Sequence, residues 1–204
     1  MTRLVPIKRV ARVRYGLGQP PPHSDDGVAI IRATNIYRGA IVPEGMIYAR
    51  LEDLPRERAP LLVAGEILVV RSGAYTGDSA LVTPDWEGSA PGYDLRLTPF
   101  EIEPRFLALQ LLGRRCQDQI SLVRSRAAQP HLNAEDLGDI EVVSLATREE
   151  ERAVLGGLDA RLSEIDPLLL DLNSMRWLVA ELREAVIATS FEDLVAAPEG
   201  ALEA

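Results

Sequence analysis

A leucine-rich heptad pattern towards the carboxyl end of the chain is the feature that most constrains the fold. Large apolar residues recur there three and four positions apart, namely Leu155, Leu158, Leu162, Ile165, Leu169 and Leu172, with Val179 further along. On an α-helix this spacing forms a stripe along one side, which is typical of a helix that packs on another helix. The pattern predicts a helix over residues 147–193 that contacts its own domain, a second copy of the chain or another subunit.

This helix has a recognisable start and one irregularity. Thr147 can cap its amino end, and residues 149–151 are all glutamate, which the helix dipole favours there. Pro167 lies inside the heptad pattern, and a proline either kinks a helix or ends it. We therefore expect either one long helix kinked at Pro167 or a helical hairpin broken there. Residues 194–204 are expected to form a frayed tail.

Residues 1–146 have a different character. Short runs of β-forming residues, such as Val28–Ile31, alternate with loops rich in glycine and proline, and Pro104 is placed to open a helix. A further short strand is expected from Leu137, Ile140, Val142 and Val143. The chain of 204 residues is 47% hydrophobic and 26% charged, which are values of a globular protein. The fold class predicted is α/β: a small mixed α/β domain with many short strands, followed by a long coiled-coil-type helix.

The sequence lacks the motifs of several enzyme classes. It contains no P-loop, and Gly16-Leu17-Gly18 is followed by prolines, so that it cannot open a helix as a dinucleotide-binding loop does. The two histidines, His23 and His131, and the single Cys116 do not form a zinc-binding pattern. We therefore expect no catalytic residue and no metal site.

The same sequence indicates a cellular compartment. No apolar run is long enough for a transmembrane helix, and the first residues lack the apolar stretch of a signal peptide. A single cysteine cannot form an internal disulfide framework. We expect a cytoplasmic protein.

Charge is distributed unevenly along the chain. Residues 1–145 contain 17 basic and 18 acidic side chains, whereas residues 146–204 contain 5 basic and 13 acidic ones. The net charge of −9 therefore resides almost entirely in the carboxyl-terminal part. Consequently, the acidity of the whole chain says little about what the first part binds.

Four segments in order resemble a known family. Residues 18–41 contain a proline loop, a short strand, an Asn-Ile pair and a glycine turn; residues 64–82 read AGEILVVRSGAYTGDSALV; residues 125–143 contain a glutamine loop before a short apolar segment; and residues 148–191 contain the helix. Together they resemble one half of a type I restriction-modification DNA specificity (S) subunit. The chain departs from the family at residues 143–146, where Val-Ser-Leu-Ala replaces the usual Pro-Leu-Pro-Pro, and at Arg152, which replaces a glutamine.

The resemblance implies a specific role. Residues 1–146 would be a target recognition domain that binds double-stranded DNA, and residues 147–193 would be a helical spacer. Most family members contain two recognition domains, so the resemblance implies either a half-subunit that pairs with a second copy of itself or a truncated product. The resemblance further implies methyltransferase subunits as partners, with S-adenosylmethionine bound by them and no cofactor bound by this chain. DNA methylation and restriction in phage defence would then be carried out by the complex.

A recognition domain reads base edges with arginine, amide and hydroxyl side chains, which polar loops can supply. We expect three such loops to bind DNA. Their candidate residues are Arg32, Thr34, Asn35 and Arg38 in the first loop; Arg71, Ser72, Gly73, Tyr75 and Thr76 in the second; and Arg124, Arg126, Gln129, His131 and Asn133 in the third. Arg71 and Gln129 are the strongest candidates.

Three other roles remain open from the sequence, and one of them is a small-molecule enzyme with an unrecognised site. The chain could be the recognition domain of a split DNA methyltransferase, or a coiled-coil adaptor in phage defence that has kept the architecture without reading DNA. In the adaptor, acidic residues would surround the three loops in space.

Overall fold

A computed structural model of the chain describes residues 2–125 and 131–196, with side chains of the last helix described for residues 148–165, 172, 175 and 177–188. The chain divides into two compact units, Met1–Leu155 and Gly156–Ala204. This division lies a few residues beyond the boundary at 146 that the sequence predicts, because the first turns of the last helix belong to the first unit.

The first unit is a mixed α/β domain of short elements. Its strands are β1 (Arg3–Pro6), β2 (Ala11–Tyr15), β3 (Val28–Ile31), β4 (Ile36–Tyr37), β5 (Ala40–Ile41), β6 (Ile47–Ala49), β7 (Ile67–Val69), β8 (Ser79–Leu81), β9 (Ala90–Pro91), β10 (Leu95–Pro99) and β11 (Glu141–Ser144). Its helices are α1 (Pro104–Leu112), α2 (Arg114–Arg124), α3 (Ala134–Asp139) and the start of α4 (Arg148–Ala196). The fold class predicted from the sequence is confirmed.

An antiparallel four-stranded sheet in the order β2-β10-β7-β8 organises this unit. Side chains alternate between its two faces, as strand geometry requires. Ile67 and Leu97 face one core, which they share with Leu107 of α1. Leu68 and Ala80 face a second core, which includes Ile31 of β3. The sheet is therefore covered on both faces by apolar side chains.

Smaller sheets surround the central one. β3 pairs antiparallel with β6 and parallel with β9, β4 pairs with β5, and β1 pairs with β11. The β4–β5 hairpin turns at Arg38 and Gly39, whose φ angles are 46° and 91°. Two positive φ angles give the turn the twist that a two-residue hairpin needs. The Gly39 N–H then donates to the carbonyl of Ser79, which attaches the hairpin to β8.

A buried ion pair crosses the face of the central sheet. The Arg96 guanidinium contacts the Glu66 carboxylate through Nη2 at 2.5 Å and through Nε at 2.8 Å. Arg96 also donates to the carbonyl of Pro60, and Thr98 donates to Glu66. Both charged groups therefore have hydrogen-bond partners, which a buried pair requires.

Two local predictions need correction. The segment around Leu137, which the sequence predicts as a strand with residues 140–143, begins instead with the short helix α3. Asn133 caps α3 through Oδ1, which accepts from the Asp136 N–H at 2.8 Å. This cap satisfies an otherwise unpaired helix N–H, and the apolar Leu137 is buried from a helix as readily as from a strand. The second correction concerns the last helix.

The last helix begins as the sequence predicts. Thr147 Oγ1 accepts from the Glu150 N–H at 3.2 Å and so caps α4. The helix passes position 167 without a break and reaches Ala196, so a hairpin broken at Pro167 is wrong. Leu155 is buried in the core of the first unit, together with Ile102 and Phe106. No described helix is long and apolar enough to cross a membrane.

Candidate nucleic-acid interface

Asp94 joins two of the three polar loops. This residue lies immediately before β10 and is only 4% exposed. Its Oδ1 accepts from the Arg71 N–H at 3.2 Å, and the backbone of Ala33 lies close enough to favour the charged carboxylate. Burial raises the pKa of Asp94, although these backbone groups and the charge of Arg71 oppose the rise. One buried carboxylate thus holds the loops around residues 32–35 and 71–77 together.

The third loop returns to the same place. The Leu132 N–H donates to the carbonyl of Arg71 at 2.8 Å, and His131 forms an antiparallel bridge with Ser72. Arg124 at the end of α2 donates from Nη1 to the carbonyl of Thr76 at 2.8 Å. The described parts of all three loops therefore belong to one connected surface region.

Arg71 occupies the middle of this region, and its guanidinium lies against two tyrosine rings. Its guanidinium carbon lies 4.0 Å from the centre of the Tyr93 ring and 5.1 Å from that of Tyr15. The two tyrosines are 49% and 47% exposed, and Arg71 is half-buried. Each contact between a guanidinium and an aromatic ring contributes about 0.5–2 kcal/mol. The rings therefore hold the arginine at the surface.

The other loop arginines make different contacts. Arg32 donates from Nη2 to the carbonyl of Gly45, and Arg124 is held by the carbonyl of Thr76. Arg38 is exposed at the tip of the β4–β5 hairpin, with its guanidinium carbon 5.4 Å from the ring centre of the neighbouring Tyr37. Arg32 and Arg124 therefore stabilise the loops through hydrogen bonds to the backbone, whereas the side chain of Arg38 is exposed to solvent.

Two residues predicted to bind DNA are buried instead. Asn35 is fully buried, its amide donates to the carbonyls of Val42 and Glu44, and its Oδ1 accepts from the Arg32 N–H. Thr76 is 2% exposed and donates to the carbonyl of Gly73. Both side chains stabilise the conformation of a loop through hydrogen bonds and are inaccessible to a base. The prediction that they bind DNA is therefore corrected. Asn133 is half-buried, and its carbonyl oxygen is used in the cap of α3.

The remaining candidates in the described chain are accessible. Thr34, Ser72, Gly73 and Tyr75 are exposed or half-buried, and so is His131. Gly73 has a φ of 89°, a conformation that favours glycine. Arg126 and Gln129 lie outside the described residues.

The sequence interpretation missed three residues of this region: Tyr15, Tyr93 and Asp94. Tyr15 ends an alternating strand, and its hydroxyl oxygen accepts from the Ala134 N–H at 3.2 Å. Tyr93 follows Gly92, at which an added Cβ would collide with the carbonyl of Ile31. The Gly-Tyr-Asp sequence before a strand was the available signal, because it combines a close backbone approach with an aromatic and an acidic side chain.

The second unit, described to residue 196, is helical and exposes large apolar side chains. Leu162, Ile165, Leu172 and Val179 of the predicted contact stripe are 41–57% exposed, and Leu158 is half-buried. The side chain of Leu169 lies outside the described residues. Leu155 is only 7% exposed and packs in the core of the first unit, so its assignment to a dimer contact is corrected.

The described residues offer no metal site, since no group of three or more His, Cys, Asp or Glu side chains is placed to hold an ion within 2–125 and 131–196. Cys116 is buried, and burial raises the pKa of its thiol to about 11. At neutral pH this thiol is protonated and a poor nucleophile.

Comparison with known proteins supports a specific fold. No protein-family model matches the chain, and no curated protein is significantly similar to it. Among solved structures, a chain from a study of complex assembly and conformational transition of the type I restriction-modification system matches with a TM-score of 0.66 and 18% identity, covering 98% of this chain and 50% of that one.

Two further structures match over most of the chain. The HsdS subunit from Thermoanaerobacter tengcongensis matches with a TM-score of 0.60 and 18% identity, covering 82% of this chain and 43% of the other. The type I restriction-modification S subunit from M. genitalium matches with a TM-score of 0.55 and 16% identity, covering 86% and 43%. The chain spans about half the length of these structures. It therefore has the fold of one half of a type I restriction-modification specificity subunit.

Proposed function

We propose that this chain is a sequence-specific DNA recognition subunit of a type I restriction-modification complex. The observation that carries the proposal is the convergence of three polar loops on Arg71 and Asp94, in a chain with the fold of half an S subunit. Residues 1–146 act as the recognition domain. Arg38, Arg71, Ser72 and Tyr75 are the described side chains that best reach a duplex, with Thr34 and His131 beside them.

The chain has no catalytic role of its own in this proposal. It positions methyltransferase and restriction subunits on DNA, and the methyltransferase subunits bind S-adenosylmethionine. DNA methylation and restriction by the complex take place in the cytoplasm. Neutralisation of phosphate charge supplies much of the affinity of DNA-binding proteins. Residues 1–145 are nearly neutral, which supports a complex in which other subunits contact most phosphates. The isolated chain therefore binds DNA weakly, and its partners supply most phosphate contacts.

A second copy of the chain completes the recognition unit. The exposed apolar side chains of α4, including Leu162, Leu172 and Val179, form the contact between the two copies. Two identical recognition domains related by a two-fold axis each bind a half-site, and the two half-sites have the same sequence in inverted orientation. The target is then a palindromic sequence in two parts, and the paired helices set the length of the gap.

Selection from random duplexes tests this function. The tagged chain is purified from its host with the subunits that accompany it, and the complex is incubated with a library of random DNA duplexes. The expected result is enrichment of two inverted half-sites separated by a fixed gap. A complex that contains a methyltransferase but no restriction subunit would support the split-methyltransferase alternative.

Enrichment of no sequence by the intact complex would contradict the proposal. An adaptor would give that result, since it binds its partners through the helix without reading bases.

A further inference from the structure

We propose that Arg71 reads a guanine in each half-site, and that Tyr15, Tyr93 and Asp94 are positioning residues which aim its guanidinium. The inference rests on the proposed function and names the residue that determines specificity. Arginine pairs with guanine because its planar fork of N–H donors matches the O6 and N7 acceptors in the major groove. Adenine presents a donor at the corresponding exocyclic position and does not match.

The guanidinium of Arg71 contacts two aromatic rings and keeps its Nη donors for a ligand. Tyr93 lies 4.0 Å and Tyr15 5.1 Å from its central carbon, and Nε is buried without a hydrogen-bond partner in the described chain. Neither Nη atom donates a hydrogen bond to another described residue. The described contacts of the guanidinium are thus with two aromatic rings, and its Nη donors remain available for an acceptor on a base.

The backbone of Arg71 is held in place on both sides of its Cα. Its N–H donates to buried Asp94, and its carbonyl accepts from the Leu132 N–H at 2.8 Å. Tyr15 is itself held, since its hydroxyl oxygen accepts from the Ala134 N–H. A long flexible side chain normally loses conformational entropy when it binds. In Arg71 the backbone and the aromatic contacts restrict the side chain before DNA binds, so less conformational entropy is lost on binding. A side chain that is already ordered can discriminate better between bases.

Arginines that stabilise the fold make different contacts from those of Arg71. Arg96 contacts a carboxylate and two carbonyls, and Arg32 and Arg124 each donate to a backbone carbonyl. These guanidinium groups already use donors inside the protein. Arg71 combines surface access, a fixed backbone and two aromatic neighbours, and this combination distinguishes a reading side chain from a bracing one.

The test compares the sequences selected by variants of the intact complex. Arg71→Lys keeps the charge but loses the planar fork, and it is expected to enrich the same gapped motif with the guanine preference lost at one position of each half-site. The loss is expected to be about 10- to 100-fold at that position. Arg12→Lys is the matched control, because Arg12 is exposed on β2 and lies on the opposite face of that strand from Tyr15. It is expected to enrich the wild-type motif.

A measurement on the wild-type complex avoids any folding defect of a variant. Each guanine of the selected site is replaced in turn by 7-deazaguanine, which lacks the N7 acceptor. One guanine in each half-site is expected to weaken binding by the wild-type complex, and the same replacement is expected to have little effect on Arg71→Lys.

The positioning residues have their own readout. Tyr93→Phe keeps the ring and is expected to preserve the guanine preference, whereas Tyr93→Leu removes the aromatic contact and is expected to reduce preference at the Arg71-dependent position alone. A purely structural role for Tyr93 would instead weaken all positions together, which would overturn its assignment.

The two proposals fail in different ways. If the wild-type complex selects a motif and Arg71→Lys selects the same motif at every position, Arg71 does not read a base, although the proposed function stands. Arg71 is likewise excluded as the reading residue if no guanine responds to removal of N7. If the wild-type complex selects no motif, the proposed function itself is wrong.

Discussion

Asp94 accepts a hydrogen bond from the backbone N–H of Arg71 across 23 positions of sequence, with 3.2 Å between Oδ1 and the nitrogen. The carboxylate is buried, and its charge faces the guanidinium of the same arginine. Asp94 therefore contributes both to the shape of the interface and to the pH dependence of folding.

We expect Asp94 to make folding less favourable as the pH rises. Burial raises its pKa in the folded state above the ordinary value of 3.8, so the folded state binds the proton more tightly than the unfolded state. Its favourable contribution is fully present below that value and is lost as the pH rises through the raised pKa. The difference in free energy of unfolding between wild type and Asp94→Asn should thus fall as the pH rises from below 3.8 through the raised pKa, measured by urea denaturation. A difference that rises over this range would contradict the assignment.

The buried pair of Arg96 and Glu66 should be costly to break from one side. Arg96→Met leaves the Glu66 carboxylate buried without its charged partner. We expect a loss of about 3–5 kcal/mol in the free energy of unfolding, measured by urea denaturation. The double variant Arg96→Met, Glu66→Leu should recover part of that loss. Equal destabilisation by the single and double variants would show that the uncompensated charge is not the cause.

Asn35 should matter for stability rather than for base preference. Asn35→Ala leaves the carbonyls of Val42 and Glu44 without the donor that the amide supplies. We expect a loss of about 1–3 kcal/mol in thermal or urea unfolding. At a temperature where the variant is folded, its complex should select the wild-type DNA motif. An altered base at one position would return Asn35 to the set of reading residues.

Self-association should depend on the exposed apolar side chains of α4. We expect the wild-type chain to have the mass of a dimer in light scattering, and the double variant Leu162→Glu, Leu172→Glu to have the mass of a monomer. The free-energy penalty of burying two carboxylates at a helix contact would exceed the stabilisation that the contact provides. Ala160→Glu, Ser163→Glu is the matched control on other positions of the same helix and should remain dimeric. A monomeric wild type would remove the homodimer from the proposal.

Local patterns in the sequence are enough to locate several elements. Pro104 opens α1, Thr147 caps α4, and residues 71–77 form a loop, because each depends on backbone geometry and hydrogen bonds within a few residues. The heptad spacing likewise predicts the long helix. Leu137 was assigned to the wrong element because a short apolar run is compatible with both a helix and a strand.

The sequence by itself thus determined the α/β class, the long carboxyl-terminal helix and the loops that carry polar side chains. Only the tertiary structure decided which of those side chains are available. Asn35 and Thr76 are polar loop residues like Arg71 and Ser72, yet neighbouring backbone groups bury the first two and leave Ser72 exposed and Arg71 half-buried. Tyr15, Arg71 and Tyr93 come from three separate segments, and the pairing of β10 with β2 and β7 brings those segments together. Such contacts depend on strand order and register, which arise from burial over the whole domain rather than from any local spacing.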